Sequence, residues 1–159
     1  MKIRSDFVTN SSSSSFIVAF RNGESIEDTI KKEYNGEYVD ELVDDLNKAV
    51  RPAAELSEQD KQDIFDFLAD AAWWKEYKEE EERFNTRREA FEWRKAHPEE
   101  QEKRVDEIQH ELYDQVLHDI ESADRIAIVE YEDHTVSGAE LEHEIMPRLS
   151  CTLYRMSHH

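Results

Sequence analysis

Ser11, Ser12, Ser13, Ser14 and Ser15 form an unbroken run of hydroxyls near the start of the chain. Such a run, with its backbone N–H groups, can cradle a phosphate. Phosphate loops ordinarily lead into a helix N-terminus, which does much of the binding. Here the apolar segment Phe16-Ile17-Val18-Ala19-Phe20 follows instead, without a glycine-rich pattern or a lysine. The plainer reading is a surface loop. Histidine supplies the second chemistry. His134, His143 and His158 lie late in the chain, with Glu142 and Glu144 close by. They would form a metal site if the last strand folds back toward them; a polar loop and a frayed end are the plainer reading. Glu107-x-x-His110 and Glu140-x-x-His143 match the ligand pairs of di-iron bundles. With seven histidines in a chain this rich in glutamate, such matches arise by chance. Cys151 is the single cysteine, so no intrachain disulfide and no cysteine-built zinc cage can form. It reads as a small buried hydrophobe. No nucleophile elbow is present. No catalytic residue is assigned, and no cofactor is called for.

Carboxylates outnumber every other functional group. Asp63, Asp66 and Asp70 recur at three- and four-residue spacing, which lines them along one side of a helix. Asp40, Glu41, Asp44 and Asp45 offer a second row. A row of carboxylates at helical spacing can imitate a phosphate backbone, although charged helix faces are most often simply solvated. Trp73 and Trp74 are adjacent, so both cannot face one core. Trp73 is therefore grouped with the acidic rows as a candidate for partner binding.

These side chains must be positioned by strands at the ends and helices between. Residues 16–20, 125–131 and 152–156 carry the apolar and β-branched patterns of strands; residues 2–4 with 7–8 suggest another. Helices are expected over 24–34 and 37–50, separated by Asn35-Gly36. Another begins after the N-cap Ser57 and carries Ile64, Phe67, Leu68, Ala71, Trp74 and Tyr77, with Glu79 to Glu82 extending its polar face. Pro98 suits a first helical position. Val105, Ile108, Leu112, Val116 and Ile120 then mark the clearest amphipathic stripe. His110, Asp114 and His118 lie off that stripe and read as a solvated face. Ser137-Gly138 is expected to cap a short helix over 139–146, joining strands 126–130 and 152–156 in a β-α-β arrangement compatible with parallel pairing. The fold class is therefore α+β (or α/β). A small three- to four-stranded sheet is built from both termini, with a long acidic helical hairpin inserted between its strands. The expected organisation is one domain over 1–159, with sheet-forming ends 1–23 and 125–159 and an acidic insertion 24–124.

The formal net charge is −19 over 159 residues. Residues 24–124 hold 14 basic and 32 acidic side chains, net −18, so the middle carries nearly all of it. Such a field repels nucleic acid and anionic membranes and favours basic partners. Direct nucleic-acid binding and membrane binding are not expected, and a homo-oligomer is compatible with the hairpin. The start lacks the apolar run of a signal peptide, and no stretch approaches the length of a membrane span. The expectation is a cytoplasmic protein.

The opening string, Met1-Lys2-Ile3-Arg4-Ser5-Asp6-Phe7-Val8-Thr9-Asn10 followed by the five serines and Phe16-Ile17, resembles the shared N-terminus of a loose group of small uncharacterised bacterial and mobile-element proteins. The ending, Leu141-Glu142-His143-Glu144 and Ser157-His158-His159, is also similar to some of them. The group has no known activity, so no site residue transfers. The resemblance implies a bacterial or phage origin. With the acidity, it leads to the expectation of a non-enzymatic inhibitor occupying the nucleic-acid-binding surface of a host protein, such as a CRISPR or restriction nuclease. The alternative is a phosphate- or metal-binding enzyme with its site at the sheet edge, made from the serine run and the late histidines.

Overall fold

The computed structural model describes residues 13–157. The expected strand over 2–4 and 7–8, Ser11 and Ser12, and His158 lie outside the described residues. The chain divides into two compact units. One is Met1–Leu56 with Asp119–His159; the other is Ser57–His118.

The first unit is built on a four-stranded antiparallel sheet of order β2-β3-β1-β4. Strand β1 (Ser13–Phe20) is central because its Phe16-Ile17-Val18 run is apolar on both faces and fully buried. It pairs with β3 (Arg125–Glu132) in unbroken register, from Ser13 opposite Glu132 to Phe20 opposite Arg125. Its other edge pairs with β4 (Thr152–Ser157), with a register shift between Ile17 and Val18. The two-residue β2 (Arg51–Pro52) lies at the edge, where a proline costs no ladder bond. The parallel pairing read for residues 126–130 and 152–156 does not occur. Both strands run antiparallel to β1, and β1 separates them. An apolar strand gains most from two neighbours, and β1 takes the middle place for that reason.

Helices α1 (Ile26–Lys31) and α2 (Val39–Ala49) cover the sheet. Ser25 caps α1 by accepting a hydrogen bond from the Asp28 N–H. Ile26, Ile30, Val39, Leu42 and Leu46 join Phe16, Val18, Phe20, Ala127, Val129, Leu141 and Met146 in one core. This core is why the unit boundary falls at 57 and not at 24: residues 24–56 belong with the sheet. The acidity divides with it. Residues 57–118 carry 10 Lys/Arg and 19 Asp/Glu, net −9, which leaves −10 on the sheet unit.

After β3 the chain makes α6 (Val136–Glu140), then a π-helical turn over Leu141–Ile145 and a 3-10 turn over Met146–Arg148. The N-cap is Thr135, whose hydroxyl accepts from the Gly138 N–H, and not Ser137-Gly138. Gly138 serves another purpose. A Cβ there would overlap the backbone carbonyl oxygen of Glu132, at the end of β3. Backbone cannot yield as a flexible side chain can. Gly138→Ala is expected to cost on the order of 1–3 kcal/mol. The loss should show as faster amide hydrogen exchange in β3 and β1; unchanged protection there would refute the tight approach.

The second unit is the helical hairpin. Ser57 and Asp60 form a reciprocal capping box at the start of α3 (Glu58–Arg83). Thr86 caps α4 (Arg87–Ala96), and Pro98 is the first residue of α5 (Pro98–Glu121). Helices α3 and α5 run antiparallel: Gln109 donates to the Phe65 carbonyl at 2.8 Å, Ala72 clusters with Val105 and Ile108, and Arg104 reaches Glu79. No helix among the described residues is long and apolar enough to cross a membrane.

Candidate functional site

Three groupings of functional side chains emerge, and each is confined to one unit. The first is the solvent face of α3. At about 100° per residue, Asp63, Asp66, Asp70, Trp73, Trp74 and Tyr77 fall within one arc of roughly 100°. The three aspartates are exposed. Asp63 accepts from the Gln59 amide at 2.9 Å and Asp66 from the Gln62 amide at 2.8 Å. Among the described residues, none of the three has a Lys or Arg within ion-pair distance. Trp73 is 43% exposed and Trp74 65%. With Tyr77 they line an apolar hollow of about 310 Å³. Burial instead follows the opposite side, through Ile64, Leu68 and Ala72.

The second acidic row is largely taken up by the fold. Asp45 accepts the Tyr131 hydroxyl at 2.8 Å, and burial with that carboxylate pushes the phenol well above its ordinary range. Asp44 pairs with Lys48 at 2.8 Å, one helical turn on. Asp40 and Glu41 are exposed. The row is thus divided by its contacts: Asp45 faces Tyr131, Asp44 is paired along the helix, and Asp40 and Glu41 face solvent.

The second grouping lies inside the hairpin and runs against the reading of residues 79–82 as polar face. Glu76 and Glu80 are fully buried. Glu80 is satisfied by the Arg94 guanidinium at 2.9 Å and the Gln101 amide at 3.0 Å. Arg94 also lies 4.4 Å from the centre of the Tyr77 ring. Neither Glu76 oxygen has a hydrogen-bond partner among the described residues. Burial first, and then neighbouring Glu80, push its carboxyl up to about 7. Protonation turns Glu76 into a donor that Glu80 can accept. The missed signal was positional: the buried row 64, 68, 72 continues at four-residue spacing to 76 and 80.

The third grouping is on the sheet unit. Ser13, Ser14 and Ser15 are strand residues and not loop. Ser14 is fully buried, and its hydroxyl donates to Glu142 Oε1 at 3.0 Å. Arg155 Nε donates to the same hydroxyl at 3.1 Å, and its Nη2 lies 3.6 Å from Glu142 Oε1. The Ser14 hydroxyl is thus engaged by Glu142 and Arg155, and a carboxylate at that position repels phosphate. Glu142 Oε2 lies 3.5 Å from His143 Nε2, which is 3.6 Å from Asp133 Oδ2. Among the described residues, Asp133, Glu142 and His143 are the group of potential ligand side chains whose atoms all lie within 4.8 Å. His134 is not part of it. Its Nδ1 sits 2.9 Å from Glu132, and the ring is exposed. Ser14 and one late histidine therefore do converge, through Glu142, which the sequence placed near the histidines, and Asp133, which it did not single out.

A groove of about 520 Å³ on the same unit is lined by Phe20, Thr29, Asp119 and Cys151, among others. Burial pushes the Cys151 thiol up to about 11. Little thiolate exists at neutral pH, which removes Cys151 as a nucleophile. Comparison with family models, curated proteins and solved structures finds no match to this chain.

Proposed function

We propose that this protein is a non-enzymatic binding protein that lays the exposed face of α3 against a basic surface of a protein partner. The observation that carries this reading is the single stripe on which Asp63, Asp66 and Asp70, exposed and with no Lys or Arg at ion-pair distance among the described residues, stand beside exposed Trp73 and Trp74 and half-buried Tyr77. One partner chemistry answers both halves of the stripe. Arginine pairs with carboxylates and also stacks on aromatic faces. Desolvated Trp and Tyr at the centre of an interface supply much of its binding energy, and surrounding carboxylates set orientation and association rate. Arginine-rich surfaces of this kind are typical of proteins that grip nucleic acid. The N-terminal resemblance to mobile-element proteins directs the proposal further, to a host nuclease of the CRISPR or restriction type.

The test is capture from bacterial lysate on the immobilised chain at low and high salt. The expected result is retention of nucleic-acid-binding proteins that are released by salt and displaced by added duplex DNA or RNA. Each exposed ion pair is worth about 0.2–1 kcal/mol, so Asp63→Asn, Asp66→Asn and Asp70→Asn together should weaken binding about tenfold. Trp73→Ala with Trp74→Ala should weaken it at least as much. Retention that ignores both sets of substitutions, or no salt-sensitive retention at all, would overturn the proposal.

A further inference from the structure

We infer that Asp133, Glu142 and His143 form a binding site for one divalent transition-metal ion of the zinc type, a role separate from the α3 surface. The argument begins with donor chemistry. Two carboxylates and one imidazole form a mixed oxygen and nitrogen set, suited to zinc and its neighbours more than to calcium or magnesium.

Geometry then narrows the choice. Zinc binds imidazole nitrogen and carboxylate oxygen at about 2.0–2.2 Å in tetrahedral sites. Two ligand atoms on such a tetrahedron stand roughly 3.3–3.6 Å apart, whereas adjacent octahedral ligands would stand at about 3.0 Å. The observed separations from His143 Nε2 are 3.5 Å to Glu142 Oε2 and 3.6 Å to Asp133 Oδ2. The imidazole and its two carboxylate neighbours are therefore already at tetrahedral spacing. The ligand atoms of the two carboxylates lie within 4.8 Å of each other.

The surroundings hold the group in place. Ser14 and Arg155 engage the Oε1 atom of Glu142, which turns Oε2 toward His143. Groups that fix a ligand's orientation in this way tune metal affinity. Burial also differs across the three ligands. Glu142 is fully buried, Asp133 half-buried and His143 exposed. A metal held there has protein on one side and an open fourth position toward water, the arrangement of sites that activate a water molecule. The elements themselves explain the placement. Asp133 directly follows β3, and Glu142 and His143 lie in the π-helical turn, a form of helix that recurs at functional sites.

The experiment uses the full chain, stripped with chelator and titrated with Zn2+ by calorimetry, with metal content measured after dialysis. One zinc per chain is expected. His143→Ala and Asp133→Asn should each weaken binding by more than about tenfold, without loss of helix content. Both sites are partly exposed, so these variants should fold. Glu142→Gln serves as a third, near-isosteric variant. His158→Ala with His159→Ala should leave the affinity unchanged. Zinc that is lost with the terminal histidines, zinc that is indifferent to His143 and Asp133, or no zinc bound at micromolar free ion would each overturn the inference. In the last case His143 is simply an ion-pair partner of its two carboxylates.

Discussion

Arg94→Ala is expected to destabilise the helical unit by about 3–5 kcal/mol, the usual cost of removing one partner from a buried ion pair. Glu80 has no exposed surface, and its charge is held by the Arg94 guanidinium and the Gln101 amide. Without the guanidinium, a carboxylate remains in low dielectric with one amide donor and another glutamate as its neighbour. The variant also loses the stacking of Arg94 on Tyr77. The measurement is a urea melt followed by tryptophan fluorescence. All three tryptophans, Trp73, Trp74 and Trp93, belong to residues 57–118, so this signal reports the helical unit by itself. Adding Glu80→Gln to Arg94→Ala should recover much of the loss, because it removes the stranded charge. A cost below about 1 kcal/mol, in the range of an ordinary surface pair, would mean that Glu80 is not held as described.

Glu76→Gln should have the opposite sign and should depend on pH. The carboxyl of Glu76 is pushed up to about 7 in the folded state, above its ordinary value of 4.5. Between those values the folded chain holds a proton that the unfolded chain has released. Stability therefore falls as pH rises from about 4.5 to 7 and levels off above that. Glutamine mimics the protonated form at every pH. The substitution should change stability by less than about 1 kcal/mol at pH 5 and should raise it by roughly 3 kcal/mol at pH 8. For a chain of this length that corresponds to about 6–12 °C in Tm. Thermal melts of both proteins at the two pH values provide the check. An equal effect at both would show that Glu76 does not titrate in this window.

The same pair of glutamates marks the limit of what the sequence made legible. Helix ends were readable because caps are local. Ser57, Thr86 and Pro98 sit where short-range hydrogen bonding and proline geometry demand, although of these Thr86 was not singled out beforehand. The architecture was readable from period: Phe16 to Phe20 and Arg125 to Tyr131 as strands, Val105 to Ile120 as one helical stripe, a sheet from both ends with a hairpin between. What stayed hidden depended on distant partners. Residue type placed Glu80 on the polar face and could not show that Glu142 is buried, yet Arg94 and Gln101 hold Glu80, and Ser14, 128 residues away in sequence, holds Glu142. Serine likewise signals a loop, but Ser14 is carried into β1 by the apolar residues that follow it and is satisfied there by that glutamate. Spacing was a better guide than type for Glu76 and Glu80, since the four-residue row from Ile64 leads directly to both.

The central place of β1 has a consequence for how the chain reaches its fold. Both of its partners, β3 and β4, come more than about 100 residues later, so at ribosomal rates of roughly 5–20 residues per second β1 waits on the order of 5–20 s for a neighbour. During that interval Phe16-Ile17-Val18-Ala19-Phe20 has both edges open and no ladder to join. The helical unit, compact within residues 57–118, can close while the strand is still waiting. In the nascent chain β1 is thus made long before it can be paired, and its exposure to chaperones and to aggregation is set by the length of the insertion that delays β3.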